Sequence, residues 1–253
     1  MKFLAQQTEL AFVSILSITL LAVFNAFAET KNKDSNVQSA LGYVPKTTLK
    51  GTPPSLSRIE AITIASNVLN EGELALFRHA YDDLFPQAAV FTNLSHRIAT
   101  ETKAQLSNVS NLFSYINKAK PFHKERTGKR NPVIILEKWD TSPDGFDCIE
   151  LSFFYIALSR PLGIPTFLVD VANGPDGSPG YHACVATVLG QTNFLVDPHQ
   201  RVLDAKYSES YILDDVRAIG LYLSQAHRGA KPDLTHLRAA VKLYPESVLL
   251  RSP

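Results

Sequence analysis

The eight residues Leu151 to Leu158, Leu-Ser-Phe-Phe-Tyr-Ile-Ala-Leu, are almost wholly apolar and carry no polar stripe. A helix of that kind is buried on most sides, so the rest of the chain has to fold around it. Its start is marked by Asp147, a good N-cap, with Glu150 three residues later where the carboxylate of a capping box belongs. Its end is marked by Ser159-Arg-Pro-Leu-Gly-Ile-Pro165: Pro161 cannot continue the hydrogen-bond ladder, and Gly163 supplies a permissive turn. Cys148 therefore falls in the first helical turn. There the unpaired backbone N–H groups and the positive end of the helix dipole favour a thiolate, the nucleophilic form of cysteine.

Three strands are expected after the helix. Thr166 to Val171 and Tyr181 to Leu189 are rich in apolar and β-branched residues, and Phe194 to Val196 is a short apolar run ending at Asp197. A long turn, Asn173 to Gly180, separates the first two, and Gly190 to Asn193 reads as a hairpin turn between the second and third. The hairpin lays the start of the second strand beside the end of the third, so His182 and Asp197 become neighbours across an antiparallel sheet. If a face of that sheet packs on the N-terminus of the Cys148 helix, the three side chains form a nucleophile, its base and the carboxylate that orients the base.

The segments Asp147-Cys148-Ile-Glu through Arg160-Pro-Leu-Gly-Ile-Pro165, Gly180-Tyr-His182-Ala-Cys-Val and Phe194-Leu-Val-Asp197-Pro resemble the core of the transglutaminase-like superfamily, a branch of the papain-like cysteine enzymes. The resemblance covers roughly positions 139 to 225. It implies an α+β fold with the catalytic Cys at the N-terminus of a buried helix packed on an antiparallel sheet. Cys148 is then the nucleophile, His182 the general base and acid, and Asp197 its orienter, with no cofactor and no metal. The backbone N–H of Cys148 is the expected oxyanion donor, and Trp139 is expected to be a structural aromatic. The expected chemistry is hydrolysis of a peptide or amide bond in a protein or peptide substrate through a Cys148 thioester. The alternatives are a crosslinking transamidase and an inactive relative that binds peptides or proteins. Cys184, two residues after His182, is expected to be a small buried residue, with a disulfide to Cys148 as its alternative. A zinc site from His182, Cys184, Asp197 and His199 lacks the usual paired-ligand spacing.

The remaining segments are expected to surround this core. Residues 1–28 read as a signal peptide: a basic start, an apolar stretch from Leu10 to Phe24, and Ala26-Phe-Ala28 with cleavage after Ala28. The expected location is secreted or periplasmic, and the alternative is an uncleaved membrane anchor. Residues 29–55 read as a flexible lead and 56–130 as a helical N-terminal region, with helices over Ser57 to Asn70, Glu73 to Leu84 and Ala99 to Lys118. The catalytic core spans 131–225, its last part, Ser208 to Ser224, expected to be helical. Residues 226–253 form a helical cap that resembles the end of a tetratricopeptide-type repeat and so offers a helical-repeat type of protein contact. With 253 residues, 45% of them hydrophobic, one catalytic domain with helical extensions fits better than two equal domains. Lys118 to Arg130 is locally basic and reads as a solvated loop. A net charge of +1 gives no ground for a nucleic-acid partner.

Overall fold

A computed structural model describes residues 53, 55–99, 105–118, 129–139, 141–174, 176–177, 179–189, 192–225 and 233–247. The expected leader and most of the lead, at 1–28 and 29–55, lie outside these residues, as does most of the basic run between 118 and 130. Eight helices are described: α1 (Arg58–Ser66), α2 (Glu71–Leu84), α3 (Ala89–Ala99), α4 (Gln105–Ile116), α5 (Pro132–Glu137), α6 (Cys148–Ser159), α7 (Asp215–Gln225) and α8 (Leu234–Leu243). The strands are β1 (Thr166–Asn173), β2 (Pro179–Leu189), β3 (Thr192–Asp197), β4 (Val202–Leu203) and β5 (Glu209–Ile212). They form one antiparallel sheet in the order β4-β3-β2-β1-β5. The fold is α+β.

Helix α6 is the axis of the molecule. Every residue from Ile149 to Ser159 is buried, as the unbroken apolar run requires. One side of α6 meets β1 and β2, and the other meets α3, α4 and α5. Each of its large apolar side chains contributes about 1.5–3 kcal/mol by leaving water. At its end a 3₁₀ turn, Arg160–Leu162, closes on Gly163 at φ 70°, a left-handed conformation that a side chain would strain. The Arg160 guanidinium grips Asp215 at the start of α7 with two bonds, 2.6 and 3.0 Å. It also donates to the Thr166 carbonyl at 3.1 Å. One residue thus joins the helix end, the first strand and α7.

The sheet has two unlike faces. Leu168, Ala183, Val185 and Val196 join the main core around α6, whereas Phe167, Val169, Val171, Cys184, Ala186, Leu195 and Ala205 form a separate cluster on the opposite face. Pairing of β2 with β3 continues to Leu189 and Thr192, a tighter hairpin than a turn over 190–193. The helix expected from Ser208 is corrected: Glu209 to Ile212 is an edge strand pairing with β1, and α7 starts only at Asp215. Four residues are too few to show an alternating pattern, and it is the open edge of β1 that recruits them.

The helices at the N- and C-terminal ends of the described region interleave. α7 and α8 pack on each other and on α2, and α1 packs on α2 and α7. Capping boxes start α1 (Ser57, Glu60) and α2 (Asn70, Glu73). Of the helix expected over 99–118, α4 occupies Gln105–Ile116 and residues 100–104 lie outside the described ones, whereas α3, ending at Ala99, was not expected. The buried stripe of α3 includes Ser95, whose hydroxyl donates to the Leu158 carbonyl at 2.6 Å. That polar residue on the inner face breaks the apolar periodicity by which a helix is read.

Candidate active site

Asp147 and Glu150 build the start of α6 as a reciprocal capping box. The Asp147 carboxylate accepts from the Glu150 N–H at 3.0 Å, and the Glu150 carboxylate accepts from the Asp147 N–H at 3.0 Å. Cys148 lies between them and is half-buried, with its thiol free. The box uses the N–H groups of Asp147 and Glu150, and those of Cys148 and Ile149, which have no acceptor within the helix, are the ones placed to meet an anion.

Two residues of the basic run, Lys129 and Arg130, support this turn, and for these two the expectation of a solvated loop is corrected. Lys129 forms an ion pair with Asp147, and both side chains are largely buried. Arg130 donates from its backbone N–H to Glu150 at 2.8 Å, from Nε to the same carboxylate at 3.4 Å and from Nη1 to Ser142 at 2.6 Å. Its Nη2 also donates to the Gly145 carbonyl, and the guanidinium lies 4.3 Å from the centre of the Phe146 ring. Phe146 in turn stacks on Trp139, whose other neighbours are Tyr115 and Phe154. Trp139 is thus part of an aromatic stack behind the loop.

His182 and Asp197 come together on the sheet. Nε2 of His182 lies 2.6 Å from Oδ2 of Asp197, a carboxylate with no solvent exposure. The other face of the ring system meets α6: His182 is hydrogen-bonded to Cys148, and with Nε2 engaged, Nδ1 is the nitrogen left for the sulfur. Strand alternation puts His182 on the same face as Cys184 and Ala186, and Asp197 on the face of Leu195. That is the face opposite the body of α6. Contact is made at the end of the sheet, where the first turn of α6 meets the start of β2 and the end of β3.

The Asp197 carboxylate is saturated. Oδ1 accepts from the backbone N–H groups of His199 and Gln200, at 3.1 and 2.9 Å, in the turn between β3 and β4. Oδ2 accepts from His182 and from the Tyr207 hydroxyl. Burial acts to raise the Asp197 pKa, but the His182 hydrogen bond and charge, with the donors from Gln200 and Tyr207, hold it below the usual carboxylate range. Burial likewise acts to lower the pKa of His182. The bond to Asp197, then the bond to Cys148, and the charges of both outweigh it, so the imidazolium persists up to about pH 10. The His199 ring lies 5.7 Å from that of His182, and its own pKa is lowered by burial and then by the His182 charge. Cys184 is fully buried in the second cluster, where burial raises its thiol pKa well above the ordinary value. Tyr207, His199, Lys129 and Arg130 carried no sequence motif. Only the strand order and the turn geometry bring them to the site.

A Cys at the N-terminus of a buried helix, with a His and an Asp brought to it by an antiparallel sheet, is the layout expected from the sequence. No family model and no curated protein matches the chain. Among solved structures, it is similar to a candidate cysteine protease from Cytophaga hutchinsonii, at 16% identity and a TM-score of 0.38. That match covers 59% of this chain and 54%, about half, of that protein. It is also similar to LapG of Legionella pneumophila (12% identity, TM-score 0.31, 63% and 86% covered) and to a candidate protease from Parabacteroides distasonis (11%, 0.35, 61% and 32%). Likenesses this loose carry no residue roles across. Among the described residues, no cluster of three or more His, Cys, Asp or Glu is arranged to hold a metal, and no helix is long and apolar enough to cross a membrane.

Proposed function

We propose that this chain is a cysteine-dependent acyl-transfer enzyme that hydrolyses peptide or amide bonds, with Cys148, His182 and Asp197 as its catalytic residues. The observation that supports it is the order Asp197–His182–Cys148, with the carboxylate sealed from water and Cys148 only half-buried. The Cys148 sulfur attacks the carbonyl carbon, and the developing oxyanion is met by the free N–H groups of the first helical turn. His182 gives its proton to the departing nitrogen, the C–N bond breaks, and a thioester remains. Water, losing a proton to His182, then attacks the thioester and releases the acid, restoring the thiolate and imidazolium. An amine in place of water gives transamidation at the same thioester. Protein or peptide carbonyls are the substrate class, and export through cleavage after Ala28 is part of the proposal.

Iodoacetamide labelling of the reduced protein across pH, with the modified residue and the N-terminus read by peptide mass, tests it. Rapid labelling of Cys148 that persists well below pH 8 and slows in His182→Ala is the expected result. Labelling no faster than that of a free thiol overturns the enzyme reading in favour of a peptide- or protein-binding module.

A further inference from the structure

Four donors surround the Asp197 carboxylate, and three of them follow from elements already described: the His182 ring and two backbone N–H groups of the turn after β3. The fourth, the Tyr207 hydroxyl, comes from the segment between β4 and β5. Packing alone does not call for it. The Tyr207 ring lies against the second apolar cluster, where a phenyl ring would fill the same space. What the phenol adds is one O–H, spent on Oδ2, the oxygen that also binds His182. The two rings lie 5.9 Å apart.

We propose that Tyr207 is a positioning residue of this site: by sharing Oδ2 of Asp197 with His182, its hydroxyl sets how tightly the carboxylate holds the imidazolium. The proposal rests on the thiol-enzyme reading for its functional meaning, though its physical effect does not. A carboxylate oxygen that accepts two donors has less negative charge to offer either one. The phenol is kept protonated by burial and by the adjacent carboxylate, so it acts only as a donor. The other titratable groups near the pair are Cys148 from α6, Cys184 from β2 and His199 from the turn, with Asp147 acting on His199. The Tyr207 hydroxyl is bonded to Asp197 and to none of these groups among the described residues. Without that hydroxyl, Oδ2 belongs to His182 alone, the imidazolium is held more firmly, and the ring releases its proton to a leaving amine less readily.

The test is a ¹⁵N-histidine NMR titration of the full chain, with the His182 signals assigned by their loss in His182→Ala, alongside the pH profile of Cys148 alkylation on the same samples. In Tyr207→Phe the His182 ionisation is expected to move up by roughly half a pH unit or more, with the basic limb of the alkylation profile following it. Uniform replacement of tyrosine by 3-fluorotyrosine, a stronger hydroxyl donor, needs no mutation and should move the same ionisation down. It serves equally if Tyr207→Phe does not fold. An unmoved His182 ionisation, or a shift of the wrong sign, overturns the proposal, even if Tyr207→Phe lowers the melting temperature as any packing residue would. If wild-type Cys148 alkylates no faster than a free thiol, the enzyme reading fails, and the NMR shift still decides the role of Tyr207.

Discussion

Replacing Glu150 by Ala removes the residue that connects the loop before Cys148 to the helix that carries it. The side chain has no solvent exposure and accepts from the Asp147 N–H, the Arg130 N–H and the Arg130 guanidinium. Breaking a buried ion pair from one side costs about 3–5 kcal/mol, because the remaining charge is left uncompensated. The lower figure applies here, since Arg130 keeps Ser142, the Gly145 carbonyl and the face of Phe146. Loss of the capping box adds about 1 kcal/mol. The sum is about 4 kcal/mol, a large share of the roughly 5–15 kcal/mol that holds a domain folded. Urea unfolding at neutral pH, followed by circular dichroism and by the fluorescence of the single tryptophan, Trp139, measures it. The melting temperature should fall by roughly 8–16 °C, at about 2–4 °C per kcal/mol for a domain of this size. Arg130→Met introduced into the Glu150→Ala background should cost much less than it does alone, because the stranded charge is then gone. A Glu150→Ala cost below about 1 kcal/mol, or strict additivity in the double variant, would refute the buried-pair reasoning.

Asp170 is buried on β1 and accepts from the Tyr244 hydroxyl at 3.0 Å. Burial raises its pKa to about 6, and that hydrogen bond only partly opposes the rise. Because the folded state holds this proton more tightly than the unfolded one, the stability it contributes is full below about pH 4. It is lost as pH rises through 6, by up to about 3 kcal/mol. Asp170→Asn should flatten that part of the stability profile measured by urea midpoints, and an unchanged slope would remove Asp170 as its source. Gly220 on α7 lies where a Cβ would come within 3.0 Å of the Cβ atoms of Leu243 and Tyr244 and 3.2 Å of the Tyr244 nitrogen. Gly220→Ala gains about 1 kcal/mol of helix propensity yet should be destabilising by about 1 kcal/mol net, because α8 must shift away. A stabilised variant in thermal melts would show that the crossing is looser than this.

Residues close in sequence revealed the parts of the protein that depend on neighbours along the chain. The cap, the position of Cys148 and the stop of α6 all fall within Asp147 to Pro165. Each rests on a local hydrogen bond or a restricted dihedral, so the sequence alone was enough to read them. The β2–β3 hairpin was legible for the same reason, since its short connection sets the pairing that brings His182 near Asp197. Helix α3 was missed because Ser95 faces inward to the end of α6, and strand β5 because only the open edge of β1 makes Glu209 to Ile212 extended.

The face on which the site lies was a different matter. Period-two alternation puts His182 and Asp197 on one face together, but it does not say which face the buried helix covers. In the fold, α6 covers the other face and reaches His182 with its first turn alone. Lys129 and Arg130 read as a soluble basic run until the buried carboxylates of Asp147 and Glu150 are placed beside them. Tyr207 has no motif because it reaches Asp197 from the segment between β4 and β5, a contact that no local spacing fixes. The sequence by itself determined the mount of Cys148 and the order of the three candidate groups, since both are local. Which charges and hydroxyls surround them was decided only by the tertiary structure, because burial and long-range contact set the strength of every one of those bonds.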